Sequence, residues 1–105
     1  MMTIETNSLT LNQANLVQAS IVRDQENIVS DMGGEKVILS IRNGNYYNLG
    51  IMGSQIWELI QEPIPVMQLI DKLIEQYDVD RITCEEQLLP FLLHLSEEKL
   101  IHYSL

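Results

Sequence analysis

Three short segments in the first half of the chain are rich in apolar and β-branched residues and have turn residues between them. They cover residues 27–32, 36–42 and 45–49. Gly33-Gly34 separates the first two segments, and Asn43-Gly44 separates the last two. Both central positions of a type I′ turn need positive φ, which Asn and Gly tolerate, so Asn43-Gly44 predicts a two-residue hairpin turn. The pattern therefore predicts three consecutive strands.

A two-residue turn also predicts the register of the second hairpin. The expected pairs are Ile41 with Tyr46 and Leu39 with Asn48 on one face, and Ser40 with Tyr47 and Ile38 with Leu49 on the other. Because successive side chains point to opposite faces of a sheet, both faces would carry apolar groups. We expect a small sheet that is covered on both sides, or covered on one side and partly used for binding on the other.

From residue 51 onward, the apolar positions recur with the period of an α-helix. The predicted helices cover residues 51–61, 65–77 and 84–98. Pro63 ends the first helix, and Pro65 suits the first residue of the second. Thr83 and Glu86 have the spacing of a capping box, so the third helix is expected to begin at residue 84. Trp57 widens the apolar stripe of the first helix and is expected in the core.

The third helix carries more apolar surface than one contact with a core requires. Its apolar residues span roughly 200° of the helical wheel, about twice the minimum width of a core-facing stripe. The surplus flank carries Leu89 and Leu93. Either residues 100–105 or the N-terminal segment covers this flank, or it lines a ligand groove, since contiguous exposed apolar surface often marks a binding site. Pro90 removes one helical hydrogen bond, so we expect a kink or a loosened first turn.

The two ends of the chain have weaker patterns. Residues 1–15 are polar and are expected to form a flexible tail. Leu16-Val17 and Ile21-Val22 are expected to form an extended segment against the sheet, and residues 100–103 a short extended tail. No repeat or linker divides the rest of this 105-residue chain, so residues 16–105 are predicted to form one domain.

The composition narrows the class of partner. The chain has fifteen acidic and six basic residues, which gives a formal net charge of −9. A nucleic acid would be repelled by most of this surface and a basic partner attracted, although the excess of acid could also serve solubility alone. No apolar run approaches the roughly 20 residues of a membrane span, and no signal peptide is visible. The single cysteine excludes an internal disulfide, so a cytoplasmic location is expected.

Candidate catalytic groups are few. Cys84 lies in a first helical turn, where a thiolate could be stabilised, but the chain has no second cysteine to resolve it. His94 and His102 have neither the spacing nor the neighbours of a zinc site. Nothing beyond residue type pairs either histidine with Cys84 as nucleophile and base. We therefore expect no catalytic residue, no metal site and no cofactor, and a protein that is not an enzyme.

One long stretch of the chain resembles a known family. The run "GNYYNLGIMGSQIWELIQEPIPVMQLIDKLIEQYDVD", followed by a helix with "FLLHL" and then "KLIHY", is similar to the PqqD family. More narrowly, it resembles the stand-alone proteins that recognise leader peptides in lasso-peptide biosynthesis. The resemblance covers about residues 27–103. Its most specific parts are the Gly-x-Tyr-Tyr-x-Leu strand, the Gly-x-x-Ile-Trp helix start and the Tyr-Asp-Val-Asp link.

The resemblance implies both a fold and a function. The fold is α+β and winged-helix-like, with a three-stranded antiparallel sheet packed on three helices. The function is non-catalytic: the leader peptide of a ribosomally made precursor adds as a strand to the third strand and lies in a cleft against the third helix. The protein would present the precursor to a transglutaminase-like leader protease and an asparagine-synthetase-like cyclase.

The residues expected to bind the peptide lie on these two elements. They are Tyr46, Tyr47, Asn48 and Leu49 on the third strand and Leu89, Leu92 and Leu93 on the third helix. The sequence departs from the family pattern at Gly50, where asparagine is usual, and at Pro65, where serine or threonine is usual. Pro90 and Leu93 also replace residues that are commonly helix-friendly or polar, which affects the expected shape of the cleft.

Two other classes of function fit a small three-helix domain with a hairpin. The first is a winged-helix module that binds DNA, although its third helix would bring Glu85, Glu86, Glu97 and Glu98 against phosphate with Lys99 as the one nearby lysine. The second is a purely structural subunit of a larger complex. A leader-peptide titration separates both alternatives from peptide recognition.

Overall fold

The computed structural model describes residues 12–105. Its elements, in chain order, are α1 (Gln13–Leu16), β1 (Ser20–Arg23), β2 (Asn27–Met32), β3 (Glu35–Ser40), β4 (Tyr46–Asn48), α2 (Gly50–Leu59), β5 (Ile64–Pro65), α3 (Val66–Tyr77), α4 (Arg81–Glu97) and β6 (Ile101–Ser104). The predicted α+β class is confirmed, and the strand and helix order fits a winged-helix-like PqqD fold. The predicted flexible tail over residues 1–15 lies mostly outside the described residues, and its last residues belong to α1.

The main sheet has the strand order β2-β3-β4, and both pairings are antiparallel. Its inner face packs on the helices: the side chains of Ile38 and Ser40 are fully buried. The outer face is open, because Ile41 and Tyr46 are 63% and 72% exposed. The sheet is therefore covered on one side only, which is the second of the two arrangements that the sequence allowed.

The predicted register of the β3–β4 hairpin is wrong by two residues. Leu39 pairs with Tyr46, and a five-residue loop at residues 41–45 replaces the two-residue turn. Gly44 has a φ of 75°, but Asn43 is not in the left-handed region that a type I′ turn needs. Instead the Asn43 side chain accepts a hydrogen bond from the Asn45 amide, which stabilises a wider turn. A shift of two residues keeps every side chain on its predicted face.

A second small sheet joins the two ends of the described chain. Its order is β5-β1-β6, with β1 antiparallel to both neighbours. The expected extended segment at residues 16–22 is therefore corrected: Leu16 ends the helical turn α1, and β1 pairs with β5 and β6 rather than with the main sheet. Helix α1 packs against α4, and Leu16 is fully buried.

The Tyr-Asp-Val-Asp link sets the geometry between α3 and α4. Asp78 ends α3 in the left-handed conformation, with a φ of 51°. Asp80 then caps α4: its carboxylate accepts a hydrogen bond from the backbone amide of Thr83 at 2.7 Å. The predicted capping box of Thr83 and Glu86 is therefore wrong, because a stronger N-cap residue lies three positions earlier. Helix α4 continues through the exposed Pro90 without ending there.

The buried Asp24 joins the two sheets. Its carboxylate lies 3.3 Å from the Arg42 guanidinium in the β3–β4 loop and 2.7 Å from His102 Nε2 in β6. It also accepts hydrogen bonds from the Glu26 amide and the Asn27 side chain. The loop that precedes β4 is thus tied to the second sheet through one carboxylate.

Candidate functional site

Strand β4 lies at an edge of the main sheet and pairs only with β3 among the described residues. The Ser40 amide donates to the Asn45 carbonyl at 2.9 Å, and the Leu49 amide donates to the Lys36 carbonyl at 3.0 Å. Residues of an antiparallel strand alternate between those whose backbone groups face the partner and those whose groups face away. The backbone groups of Asn45, Tyr47 and Leu49 therefore face β3. Those of Tyr46 and Asn48 point outward from the free edge.

The C-terminal end of β4 is held against α2. The buried Ser54 hydroxyl accepts from the Lys36 amide at 2.7 Å and donates to the Gly50 carbonyl at 2.5 Å. The Asn48 side chain accepts from the Gly50 amide at 2.9 Å. Gly50 has a φ of 70°, a conformation that glycine adopts without steric cost.

Tyr47 ties β4 to the far end of α4. Its hydroxyl donates to Glu98 Oε1 at 2.5 Å and accepts from the Asn43 side chain at 3.0 Å. Glu98 is the C-cap residue of α4. The Tyr47 side chain thus connects β4 to the C-terminal end of α4.

An apolar pocket of about 500 Å³ opens between α2, α3 and α4, next to the end of β4. Its lining residues are Leu49, Met52, Gly53, Ile56, Leu73, Tyr77, Val79, Cys84, Gln87, Leu88 and Phe91. A Cβ atom on Gly53 would lie 3.1 Å from the Leu49 Cβ and 3.1 Å from the Phe91 ring. Glycine at this position therefore lets α2 approach β4 and α4 closely enough to form the floor of the pocket.

The structure brings together only some of the residues that the sequence singled out. Tyr46 and Asn48 lie on the free edge, and Leu49 lines the pocket.

The three leucines predicted to line the groove do not line this pocket. Leu89 and Leu92 are 7% and 0% exposed and belong to the core, and Leu93 is half-buried against it. Helix α1 packs against α4, so the N-terminal segment provides part of the cover that the sequence left open. The side of α4 that lines the pocket instead carries Cys84, Leu88 and Phe91. Cys84 and Leu88 are themselves nearly buried, at 7% and 3% exposed, and Phe91 is half-buried.

Apart from Leu49, the pocket residues were not predicted, because a helical wheel shows how wide an apolar arc is but not which side of it is covered. The Gly53 position within an otherwise apolar helix was the available signal, since a glycine inside a helix often marks a close approach.

The titratable groups give this pocket little reactivity. Burial raises the pKa of the Cys84 thiol, so the thiolate is a minor species near neutral pH. No group of three or more His, Cys, Asp or Glu residues that could hold a metal ion is found within residues 12–105. Across the same residues, no helix has the length and apolar character needed to cross a membrane.

Comparisons with known proteins place these features in context. The family model described as "Coenzyme PQQ synthesis protein D (PqqD)" matches residues 35–101, which include β3, β4 and α4. The chain is also similar to the solved structure described as "TbiB1 in Complex with the TbiA(beta) Leader Peptide", with 30% sequence identity and a TM-score of 0.70. That match covers 77% of this chain and 94% of the other. No curated protein matches the chain significantly.

Proposed function

This chain belongs to the PqqD family, and on that premise we propose that it binds the leader peptide of a ribosomally made precursor of the lasso-peptide type. The observation that carries the proposal is the free edge of β4 beside the apolar pocket. Backbone groups on a free edge pair with an extended peptide, while neighbouring pockets select its side chains. Both parts of such a site lie next to each other here.

In this proposal the leader adds as a fourth strand next to β4. The outward N–H and C=O groups of Tyr46 and Asn48 supply four hydrogen-bonding positions. Each bond contributes roughly 0.5–1.5 kcal/mol. One or two large apolar side chains in the pocket add about 1.5–3 kcal/mol each. Ordering the peptide and losing its free motion offset a large share, so we expect a Kd of about 1 μM or tighter.

The protein would act by binding and presenting the precursor, without chemistry of its own. The pocket is apolar, and its one thiol is held protonated by burial. We propose that the bound precursor is passed to a leader protease and a cyclase, as the family resemblance implies. A cytoplasmic location remains a prediction from the lone cysteine.

The alternative of DNA binding receives no support from the exposed surface of α4. Glu86 and Glu97 are exposed on this helix, and the net charge of the chain is −9. A backbone phosphate would meet like charge at these positions. Salt-dependent retention of a DNA duplex in a gel-shift assay would contradict this reading.

The test of strand addition is a proline at an outward-facing position of β4. Tyr46→Pro removes an amide donor from the free edge and leaves the ladder to β3 intact, since proline is tolerated at edge positions whose N–H faces solvent. Tyr46→Ala is the matched control, because it removes the same side chain and keeps the amide. Proline at Tyr47 would be uninformative, since the Tyr47 amide faces β3.

The measurement is fluorescence anisotropy with two labelled peptides. One is the leader of a short precursor sought among the reading frames that neighbour this gene, and the other is the TbiA(beta) leader. Tyr46→Pro should weaken binding by about tenfold or more, whereas Tyr46→Ala should have a smaller effect. In the titration, the amide NMR signals of residues 46–49 and 84–91 should shift. Equal affinity of Tyr46→Pro and Tyr46→Ala would exclude strand addition at this position.

A further inference from the structure

Glu98 has an unusual place among the acidic residues of the chain. It is half-buried, and its Oε1 accepts the Tyr47 hydroxyl at 2.5 Å. Within residues 12–105, its Oε2 has no hydrogen-bond partner, and no lysine, arginine or histidine lies within ion-pair distance. By contrast, Lys36 and Arg42 are each already paired with two carboxylates. Glu98 therefore presents a positioned anionic oxygen that the described chain does not neutralise.

The position of Glu98 relative to the pocket follows from two contacts that join the β4 segment to α4. At the apolar pocket, Leu49 and Phe91 both lie close to the Cα atom of Gly53. Tyr47 meets Glu98 seven helical residues further on. Two strand residues span about 7 Å and seven helical residues about 10 Å, so the two contacts place the Tyr47 end of β4 toward the C-terminal end of α4. The apolar pocket lies near one of these contacts and Glu98 lies at the other; we call the space along them the cleft.

An added strand would carry side chains to both ends of this cleft. Its residues opposite Leu49 and Tyr47 would be two positions apart and would both point to the inner face. Side chains directly opposite each other on neighbouring strands have Cβ atoms about 5 Å apart. The Tyr47 side chain reaches Glu98, and lysine and arginine have a similar length. A basic side chain opposite Tyr47 would therefore reach the free oxygen of Glu98.

We propose that Glu98, oriented by the Tyr47 hydroxyl, binds a lysine or arginine of the leader peptide, two residues away from the apolar side chain that fills the pocket. The inference rests on the proposed leader binding and adds a specificity determinant to it. The charge of −9 favours the approach of a basic segment, while the half-buried site strengthens the ion pair relative to a fully exposed one.

The test is a double-mutant cycle between the protein and the leader peptide that it binds in the anisotropy assay. Glu98→Gln keeps an acceptor for the Tyr47 hydroxyl and removes the charge, and Glu97→Gln is the matched control on the same helix end. On the peptide, each lysine or arginine is replaced in turn by glutamine. Glu98→Gln should weaken binding about five- to thirtyfold and reduce its salt dependence, whereas Glu97→Gln should change affinity less than twofold.

One of the peptide substitutions should cause no further loss of affinity when it is combined with Glu98→Gln. The basic residue replaced in that peptide is then the partner of Glu98. Tyr47→Phe should reduce affinity in the same direction, with Tyr103→Phe on β6 as its control. A charge exchange, Glu98→Lys with glutamate in the identified peptide position, should restore part of the affinity.

The outcomes separate this inference from the proposed function. If the leader binds and Glu98→Gln leaves affinity and salt dependence unchanged, the ion pair is excluded and strand addition stands. The same holds if additive losses are found for every basic position of the peptide. If the leader does not bind the unmodified protein at all, the proposed function fails and the inference falls with it.

Discussion

Replacing Asp24 with asparagine removes the charge from the one acidic side chain that is buried within residues 12–105. The substitution preserves size and shape, so it tests the hydrogen bonds and the charge rather than packing. One carboxylate oxygen of Asp24 faces Arg42 and His102, and the other faces the Glu26 amide and the Asn27 side chain. An asparagine amide group has only one acceptor oxygen. In either orientation its NH₂ group would face donors.

The expected loss of stability follows from these contacts. The shortest contact joins Asp24 to His102 at 2.7 Å, and hydrogen bonds to charged groups contribute roughly 1.5–3 kcal/mol. The remaining three contacts are 3.3–3.4 Å long and therefore weak, and the exposed Arg42 is screened by water. We expect Asp24→Asn to lower the free energy of unfolding at pH 7 by about 2–3 kcal/mol.

The effect should depend on pH in one direction. Burial alone would raise the pKa of Asp24, but hydrogen bonds from Arg42, His102 and the Glu26 amide outweigh it and hold the pKa below its ordinary value of 3.8. A group with a lowered pKa in the folded state stabilises the fold above its unfolded pKa, and this stabilisation is lost as pH falls through the folded pKa. The difference between the two proteins should thus be largest near neutral pH and should shrink below pH 3.8.

Urea unfolding followed by fluorescence of the chain's one tryptophan, Trp57, measures this difference at several pH values between 7 and 3. Asp31→Asn is the matched control, because Asp31 is exposed and its two contacts, with the Gly34 amide at 3.2 Å and the Lys36 ammonium at 3.4 Å, are long. Its effect should stay small throughout. A variant as stable as the unmodified protein at pH 7, or a stability difference that does not change with pH, would refute this account of Asp24.

Three further predictions test the pocket and the helix ends. Gly53→Ala should change the free energy of unfolding by less than about 1 kcal/mol, because the gain in helix propensity offsets the crowding by the added methyl group. It should nevertheless weaken leader binding, because the methyl group pushes the Phe91 ring into the pocket. Unchanged affinity would contradict this. Leu92→Ala should cost about 2–5 kcal/mol in urea unfolding and leave the affinity of the folded fraction unchanged, whereas Phe91→Ala should reduce affinity more than stability. Asp80→Ala should lower the melting temperature more than Thr83→Ala, since Asp80 caps α4; the reverse order in a calorimetric scan would restore the capping box predicted from the sequence.

The local patterns of the sequence predicted most of the elements of this fold. Strand β2 matches its predicted range, and α3 differs from its predicted range by one residue. Trp57 lies in the core, as its place in the apolar stripe indicated. These agreements arise because strand alternation and helical periodicity depend on residues that are close in the chain.

Details that depend on competing local bonds were predicted less well. The sequence is compatible with a type I′ turn at Asn43-Gly44 and with a helix cap at Thr83. In each case the structure uses a different hydrogen bond nearby. At the turn, the Asn43 side chain bonded the Asn45 amide. At the helix start, Asp80 supplied the cap.

The sequence by itself determined which side chains share a face of β4, since a register error of two residues leaves the alternation of faces unchanged. Only the tertiary structure decided which flank of α4 stays open, because that depends on where α1 packs. It also decided that Tyr47 and Glu98, 51 residues apart, meet at one end of the cleft. Such contacts are fixed by the packing of several elements at once, and no pattern along a single segment encodes them.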